Sequence, residues 1–532
     1  MASMPIHNKG NNPLKCGEIR QSIGLELALA IQYIIKVYNH VGQFYKQNGK
    51  SKTIGLLLFD TCNDPLVIQE KIINFYRNDL IINGQSIRNK ILGNVGPLGS
   101  GPTMAVANIV GKLNYVQVGC CSAASFLGDK NLFPMFLRIS TPLNKAVDLM
   151  LDISLHLGVN TIQIVYGEDE FGVNGKDLTL EMAKKKEICV ANNISVAERD
   201  NGDYADILNR LKEKSQIKVV FIFLRSHVAP AFAKSINQHI APGDFRFLTS
   251  DSWGKRSENI KTNINLRGTI SLSQEMPMDT AHFEIMLSKL RPKRHNENNP
   301  FLLSYFQSRL NCYFPWSFNK SYSKKCTEND VLHTFGDEFD NWLPFVVNSV
   351  KAFITGTSDA YEHFCGNTSS NKALCDEYIL NPTEVRNRIQ RVKLKILNLD
   401  ELNVFDENGD GVGGFKIYIA ELNNGTGLLE YVKIGEKQFD WTMELNTDKI
   451  RDINEKIGSD FASFSDTSKC LEIKIRTIEK TEYSIFAVAG ISAIILILNI
   501  TYLIYRIAHH RRKKLQSADY QHYIDPFHST SG

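Results

Sequence analysis

Short apolar runs alternate with amphipathic runs along most of the chain. Lys52–Asp60 (KTIGLLLFD) precedes PLVIQEKIINFY, Lys90–Pro97 (KILGNVGP) precedes SGPTMAVANIVGKL, and YVQVGCC is followed by Phe136–Ser140 (FLRIS). Farther on, NKAVDLMLDISLHLG gives way to Thr161–Gly167 (TIQIVYG), and Lys218–Arg225 (KVVFIFLR) is followed by HVAPAFAKSINQ and Phe245–Asp251 (FRFLTSD). Brief runs with no polar alternation read as strands buried on both faces, and the segments of roughly ten to fifteen residues between them as helices. The pattern predicts an α/β fold whose parallel sheets carry helices on both sides, with enough units for two sheets.

In α/β units, ligands sit where strand C-termini meet helix N-termini, because unpaired N–H groups and the helix dipole face outward there. The loop Gly96–Pro102 (GPLGSGP) is the clearest example, with a helix expected to begin near Thr103. Two readings stand side by side: a cradle for a carboxylate or phosphate, with Ser100 adding a hydroxyl, or a tight turn with Ser100 as the N-cap.

One longer stretch breaks the α/β pattern. Residues 485–505 (IFAVAGISAIILILNITYLIY) are uncharged and about as long as a membrane-spanning helix. Arg506, Arg511, Arg512, Lys513 and Lys514 follow it, whereas Arg476, Glu479, Lys480 and Glu482 before it mix both signs. Positive charge stays inside, so the large N-terminal portion is expected to face the exterior. The start, MASMPIHNKGNNPLK, lacks the apolar core of a signal peptide. Asn193, Asn319, Asn367 and Asn424 begin glycosylation triplets on the expected outer side.

Length and charge narrow the function. The 532 residues carry 61 Lys and Arg against 57 Asp and Glu, a formal net charge of +4, so no global field favours nucleic acid. None of the ten cysteines forms a tetrahedral zinc pattern, and several sit in polar, loop-like text that suits disulfides in an oxidising compartment. Asp406–Gly411 (DENGDG) imitates the front of an EF-hand loop, but Ile417 occupies the twelfth position where a bidentate Glu is needed. It reads as a β-hairpin turn. No nucleophile elbow, metalloprotease helix, Walker loop or kinase signature is present, so the chain is not expected to be an enzyme, nor to need a cofactor or a metal.

At Lys15-Cys16-Gly17-Glu18-Ile19-Arg20 the sequence begins to resemble the ligand-binding ectodomain of metabotropic glutamate receptors, which are class C G protein-coupled receptors. The resemblance continues through GNVGPLGSGPTMAVANIV (93–110), DKNLFPMFLRISTP (129–142), GEDEFGVNG (167–175), SDSWGKR (250–256), NPFLLSYFQSRLNC (299–312) and FDENGDGVGGFKIY (405–418), in order from about residue 4 to 450. It implies a bilobed Venus flytrap, similar to type I periplasmic binding proteins, plus one C-terminal transmembrane helix. Residues 1–15 would be an N-terminal remnant lacking the signal and the first strand. Lobe 1 would comprise about 16–140 and 285–390, and lobe 2 about 141–284 and 391–450. A linker (451–484), the span (485–505) and a cytoplasmic tail (506–532) would follow, at the plasma membrane.

The resemblance also implies pairs Cys16–Cys62, Cys312–Cys326 and Cys365–Cys375, and it suggests Cys189–Cys470; Cys120 and Cys121 read as buried thiols. Ser100 matches the serine that holds a ligand α-carboxylate, and Asp251 the lobe 2 acid near the ligand amine. Ser122 is a further hydroxyl, Ala123 stands where the family has Thr, and Phe171 where it has Tyr. Leu143 replaces an ammonium-pairing Asp, and Leu27 and Ile379 fall where a basic pair clamps a distal carboxylate. A ligand charge buried without a partner costs several kcal/mol, so glutamate is disfavoured. The expected ligand is an amino acid or similar small molecule, with a homo- or heterodimer as the expected assembly. G protein signalling is implied by the family, yet the chain ends after one span. A non-signalling decoy or dimer partner and a truncated enzyme-linked flytrap receptor are the alternatives.

Overall fold

The computed structural model describes residues 1–457 apart from 13, 21–23, 42–43, 48–49, 83, 200–201, 275, 277–280, 293–298, 300, 318–320, 328, 332–340, 367–372, 396–400 and 438–441, together with Tyr502 and Arg506. The chain divides after Leu471 into two units, and the described residues up to 457 belong to the first.

Two sheets organise this unit. The first contains β1 (Ala2–Met4), β2 (Leu58–Asp60), β3 (Gly93–Val95), β4 (Val116–Gly119) and β5 (Phe136–Arg138), all parallel, in the order β5-β4-β3-β1-β2. The second contains β6 (Thr161–Gly167), β7 (Cys189–Val196), β8 (Val219–Phe223), β9 (Arg246–Thr249) and β10 (Ile270–Gln274) in the parallel order β7-β6-β8-β9-β10. Antiparallel strands β11 (Phe415–Leu422), β12 (Leu429–Lys437) and β13 (Met443–Leu445) extend it beyond β10. Each sheet therefore runs second-first-third-fourth-fifth, the doubly wound order that opens a crevice between its first and third strands.

Both faces of each sheet are covered, which is why the strands read as unbroken apolar runs. In β8, Val219, Phe221 and Phe223 enter one core with Leu143–His156 (α4) and Glu170–Lys185 (α5), while Val220 and Ile222 enter another with Ala229–His239 (α6). Close packing of α5 on β8 needs Gly175, since a Cβ there would lie 2.6 Å from the Phe223 ring. Around the first sheet, Val95, Val116, Val118 and Leu137 pack with Gly24–Val41 (α1) and Leu343–Cys365 (α7). On the opposite side Pro65–Arg77 (α2) meets Ser100–Val110 (α3) through Ile68, Ile72, Val106 and Val110. Asp64 fixes the start of α2 by accepting from Leu66 N at 2.8 Å and Val67 N at 3.2 Å, with Pro65 at the first helical position.

Several expected boundaries move. The first strand is present: Ala2–Met4 is buried and pairs in parallel with both Leu58–Asp60 and Val95. Of the expected strand 52–60 only Leu58–Asp60 is extended in the sheet. Helix α3 begins at Ser100 rather than Thr103, and its cap is Gly99 at φ 82°, so the N-cap reading of Ser100 falls. Phe283 through Phe405 contribute to the first core, so the chain does not return to the second sheet at 391. The short ribbon Lys393–Lys395 and Glu401–Asn403 packs Leu394 into the first core, and Phe415 is the next residue in the second.

Cys16–Cys62, Cys312–Cys326 and Cys365–Cys375 are disulfides, and Cys120 and Cys121 are buried thiols. Cys189 is disulfide-bonded as well, and its expected pairing with Cys470 lies outside the described residues. Among the described residues no helix is long and apolar enough to cross a membrane; of the expected span 485–505, only Tyr502 is described. Asn424 occupies an exposed turn and Asn193 is half-buried in β7, whereas Asn319 and Asn367 lie outside the described residues.

The chain passes between the two layered cores three times, at 139–142, between Gln274 and Phe283, and at 406–414, and Thr141 of the first crossing is bonded to Gln274 and to Gly413 of the other two. Arg138, fully buried at the end of β5, donates from Nε to Asp410 Oδ1 at 2.7 Å and from Nη1 to the carbonyls of Ser122 and Ala124 at 3.0 and 2.7 Å. Thr141 N donates to Gln274 Oε1 at 2.8 Å, and Thr141 Oγ1 to Gly413 O at 2.7 Å. Gly411 runs so near the first connection that a Cβ would stand 1.8 Å from Ile139 O. The DENGDG turn is thus a hinge element: Asp406 Oδ1 accepts from Asn408 N and Asp410 N, which frees the Asp410 carboxylate for Arg138. Substituting Asp410→Ala would bury a guanidinium without its counter-charge and should lower unfolding free energy by about 3–5 kcal/mol. Denaturant titration checks this, with Arg138→Met/Asp410→Leu regaining part of the loss; equal losses in the single and double variants would contradict it.

Candidate functional site

The crevices of the two sheets open onto one shared cavity. From the first sheet it is lined by Pro5 after β1, Asn63 after β2, Leu98 to Gly101 after β3, and Cys121 and Ala123 after β4. From the second come Asp169, Glu170 and Phe171 after β6, Arg225, Ser226 and His227 after β8, and Asp251 and Ser252 after β9. Arg20 and Trp342 complete the wall. Every contributing strand ends here, so the site follows from sheet order: each sheet turns the C-terminal ends of its strands toward the other.

Four of the five sequence-derived candidates meet in this cavity: Ser100, Ala123, Phe171 and Asp251. Ser100 opens α3, so the helix dipole adds partial positive charge around it. Its Oγ accepts from Ala124 N at 3.2 Å, which aims the hydroxyl hydrogen elsewhere. Phe171 sits in the first turn of α5, held there because Asp169 caps the helix by accepting from Phe171 N at 2.9 Å and Gly172 N at 3.2 Å. Ser122 does not line the cavity. Fully buried, its hydroxyl lies 2.5 Å from Thr103 Oγ1 and donates to Gly99 O at 3.2 Å, so it braces the turn that presents Ser100. Leu27, Leu143 and Ile379 are likewise absent from the lining: the first two belong to the cores, and Ile379 is half exposed on a separate helix.

Asp251 is the most constrained group. Its Oδ2 accepts from Gln274 Nε2 at 2.7 Å, while Oδ1 is buried with no hydrogen-bond partner among the described residues. Burial pushes the carboxyl up to about 6, opposed by its own backbone N–H, the Gln274 bond, the Arg256 charge and the Ser252 N–H. Gln274 Nε2 also donates to Thr141 O at 3.1 Å, so the acid is wired to the hinge. Across the mouth, Arg225 Nη2 donates to Asn63 Oδ1 at 2.9 Å and to Asn63 O at 3.3 Å, linking one lobe directly to the other. A second crossing runs from Ser125 N to Asn174 Oδ1 at 2.8 Å. His227 stands beside Arg225 with Nε2 3.1 Å from Glu198 Oε2, and burial holds its imidazole below the ordinary value.

Sequence reasoning missed Arg20, Asn63, Arg225, His227 and Trp342. Arg225 and His227 had a usable signal, since they follow directly on the apolar run of β8, where a strand end delivers residues to a crevice. Arg20 lies inside the KCGEIR segment. Asn63 and Trp342 had none, because their places depend on the disulfide at Cys62 and on the return of α7 to the first sheet.

Comparison with known proteins agrees with this architecture. The family model described as "Receptor family ligand binding region" matches residues 41–418. Metabotropic glutamate receptor 4 of Rattus norvegicus is 22% identical over 461 residues, covering 83% of this chain and 49% of the receptor. The Mus musculus protein of the same name is 22% identical over 463 residues, covering 83% and 49%. The chain spans about half the length of these curated relatives. With more than half of its length matched by that model, the chain belongs to the family of receptor ligand-binding regions and is similar to the ectodomain of metabotropic glutamate receptors.

Proposed function

We propose that the chain is the ligand-binding part of a cell-surface receptor and closes its two lobes around a small amino acid or a similar zwitterion. One observation carries the reading: the buried, half-partnered carboxyl of Asp251 faces the same cavity as the N-terminus of α3. Such a pair is a bipolar cage. An ammonium would fill the empty acceptor at Asp251 Oδ1, and a carboxylate would sit at Ser100, where the hydroxyl and the helix dipole favour negative charge. Phe171, Ala123 and Leu98 offer apolar contact for a modest side chain. Arg20 and Arg225 both bring positive charge to the lining, so the losses at Leu27 and Ile379 do not leave the cavity without a cation.

The hinge supplies the response. Gln274 touches Asp251 and the first connection at once, so a ligand that loads Asp251 acts on a residue that also sets the angle between the sheets. The Arg225–Asn63 and Ser125–Asn174 bonds form only when the lobes approach, and they add to the ligand in favouring closure. Dimerisation and signalling are carried over from the relatives as part of this proposal.

An amino-acid panel tested by calorimetry against the protein should find ligands whose affinity falls at least tenfold in both Ser100→Ala and Asp251→Asn; binding indifferent to both substitutions overturns the assignment. The acid also sets a pH dependence. Its pKa is raised, so the free protein gains a proton there as pH falls through about 6, and a cationic ligand group must displace it. Affinity should weaken below about pH 6 with proton release on binding, and this dependence should vanish in Asp251→Asn, as measured in buffers of different ionisation enthalpy. Arg225→Ala removes the cross-cleft bond, worth about 1 kcal/mol, and should weaken binding roughly fivefold through a faster off-rate.

A further inference from the structure

Among the acids that line the cleft, Asp251 faces the ligand amine and Asp169 caps α5; Glu170 has no part in either. Glu170 opens α5 on the second lobe, and its half-buried side chain crosses to the first. A Cβ on Gly101 would stand 2.4 Å from Glu170 Oε2 and 3.0 Å from Oε1, so both carboxylate oxygens lie against the second residue of α3. Gly101 permits the approach because it has no side chain. The cap of α3 is Gly99, which likewise has no side chain to bond the first N–H groups of the helix.

The Glu170 charge belongs to the first turn of α5 and rests on the first turn of α3, so a helix dipole from each lobe favours it in this place. Asn174, one turn farther along α5, faces the same way, since its Oδ1 accepts from Ser125 N of the first lobe at 2.8 Å. The start of α3 is also where the ligand carboxylate is placed above, and two like charges that close repel each other. We propose that Glu170 is a specificity-determining residue of the cleft, an internal carboxylate that occupies the start of α3 until a ligand carboxylate displaces it; this rests on the reading of the cleft as a zwitterion site. The contact stabilises only the closed form that holds no ligand carboxylate. An amino acid overcomes it by loading Asp251 at the same time, whereas an amine without a carboxylate leaves Glu170 in place and meets no competition. Removing the internal carboxylate withdraws the competitor and leaves the ligand-bound form as it was, so carboxylate ligands gain affinity.

Two experiments on the full chain separate this proposal from the reading beneath it. Without ligand, hydrogen exchange at Ser125 and at the first amides of α3 should quicken roughly threefold in Glu170→Gln. Gly101→Ala, whose Cβ evicts the carboxylate, should quicken the same amides, while those of β8 keep their rates and show that each variant is folded. Glu168→Gln removes the same charge from an exposed neighbour outside the cavity and should change nothing. With ligand, calorimetry compares L-alanine with L-alaninol, the same amine without the carboxylate. Glu170→Gln should tighten alanine roughly fivefold and leave alaninol unchanged. Unaltered exchange in Glu170→Gln and Gly101→Ala overturns the proposal, as does alanine binding that Glu170→Gln weakens or leaves as it was. Alanine binding that still depends on Ser100 and Asp251 would in that case leave the zwitterion reading standing. Quickened exchange in a protein that alanine does not enter overturns the zwitterion reading and the competition with it.

Discussion

The structure depends on how three connecting segments are held against one another. Two doubly wound sheets cannot share a cavity unless the segments between them fix their angle, and here the fixing is polar and buried. Arg138, at the end of β5 beside the first connection, reaches Asp410 in the third, while its Nη1 satisfies the carbonyls of Ser122 and Ala124. Removing a guanidinium from water is costly, and the ion pair with three directed hydrogen bonds offsets that cost in one geometry only. Thr141 and Gln274 extend the tie to the second connection, and the missing side chain of Gly411 lets the backbones touch.

Everything at the site follows from sheet order once that angle is set. Both sheets leave a crevice beside their first strand, and both crevices face inward, so residues that follow different strands converge. The convergence is electrically asymmetric: a helix N-terminus and two arginines approach from several directions, whereas the acids Asp169, Glu170 and Asp251 all arrive from the second sheet, Asp251 with one oxygen without a hydrogen-bond partner among the described residues. Because Gln274 serves both Asp251 and Thr141, the charge state of the pocket and the geometry of the hinge are not independent variables.

Much of this was legible in the sequence. Apolar runs such as VVFIF mark strands whose alternate residues feed two cores, and the GPLGSGP loop marks the helix start that carries Ser100. What could not be read depends on long-range closure. Ser122 looks like a ligand contact beside Ser100, but its hydroxyl is needed to hold Thr103 and Gly99. Asp410 looks like a turn residue with an imitation of metal chemistry, and its role appears only when Arg138, 272 residues away in sequence, is placed next to it. Ala2–Met4 is too short for any periodicity to reveal, yet it becomes a central strand because β2 and β3 leave a gap between them that three extended residues fill.

The central claim is that one small solute is gripped from both lobes at once. Hydrogen exchange on the protein, with and without a saturating amino-acid ligand, tests it most directly. The account predicts that amides at the start of α3 and those following β6, β8 and β9 slow together, along with the connection around Thr141. Protection confined to one lobe, or a bound ligand that leaves both strand-end clusters unchanged, would contradict it.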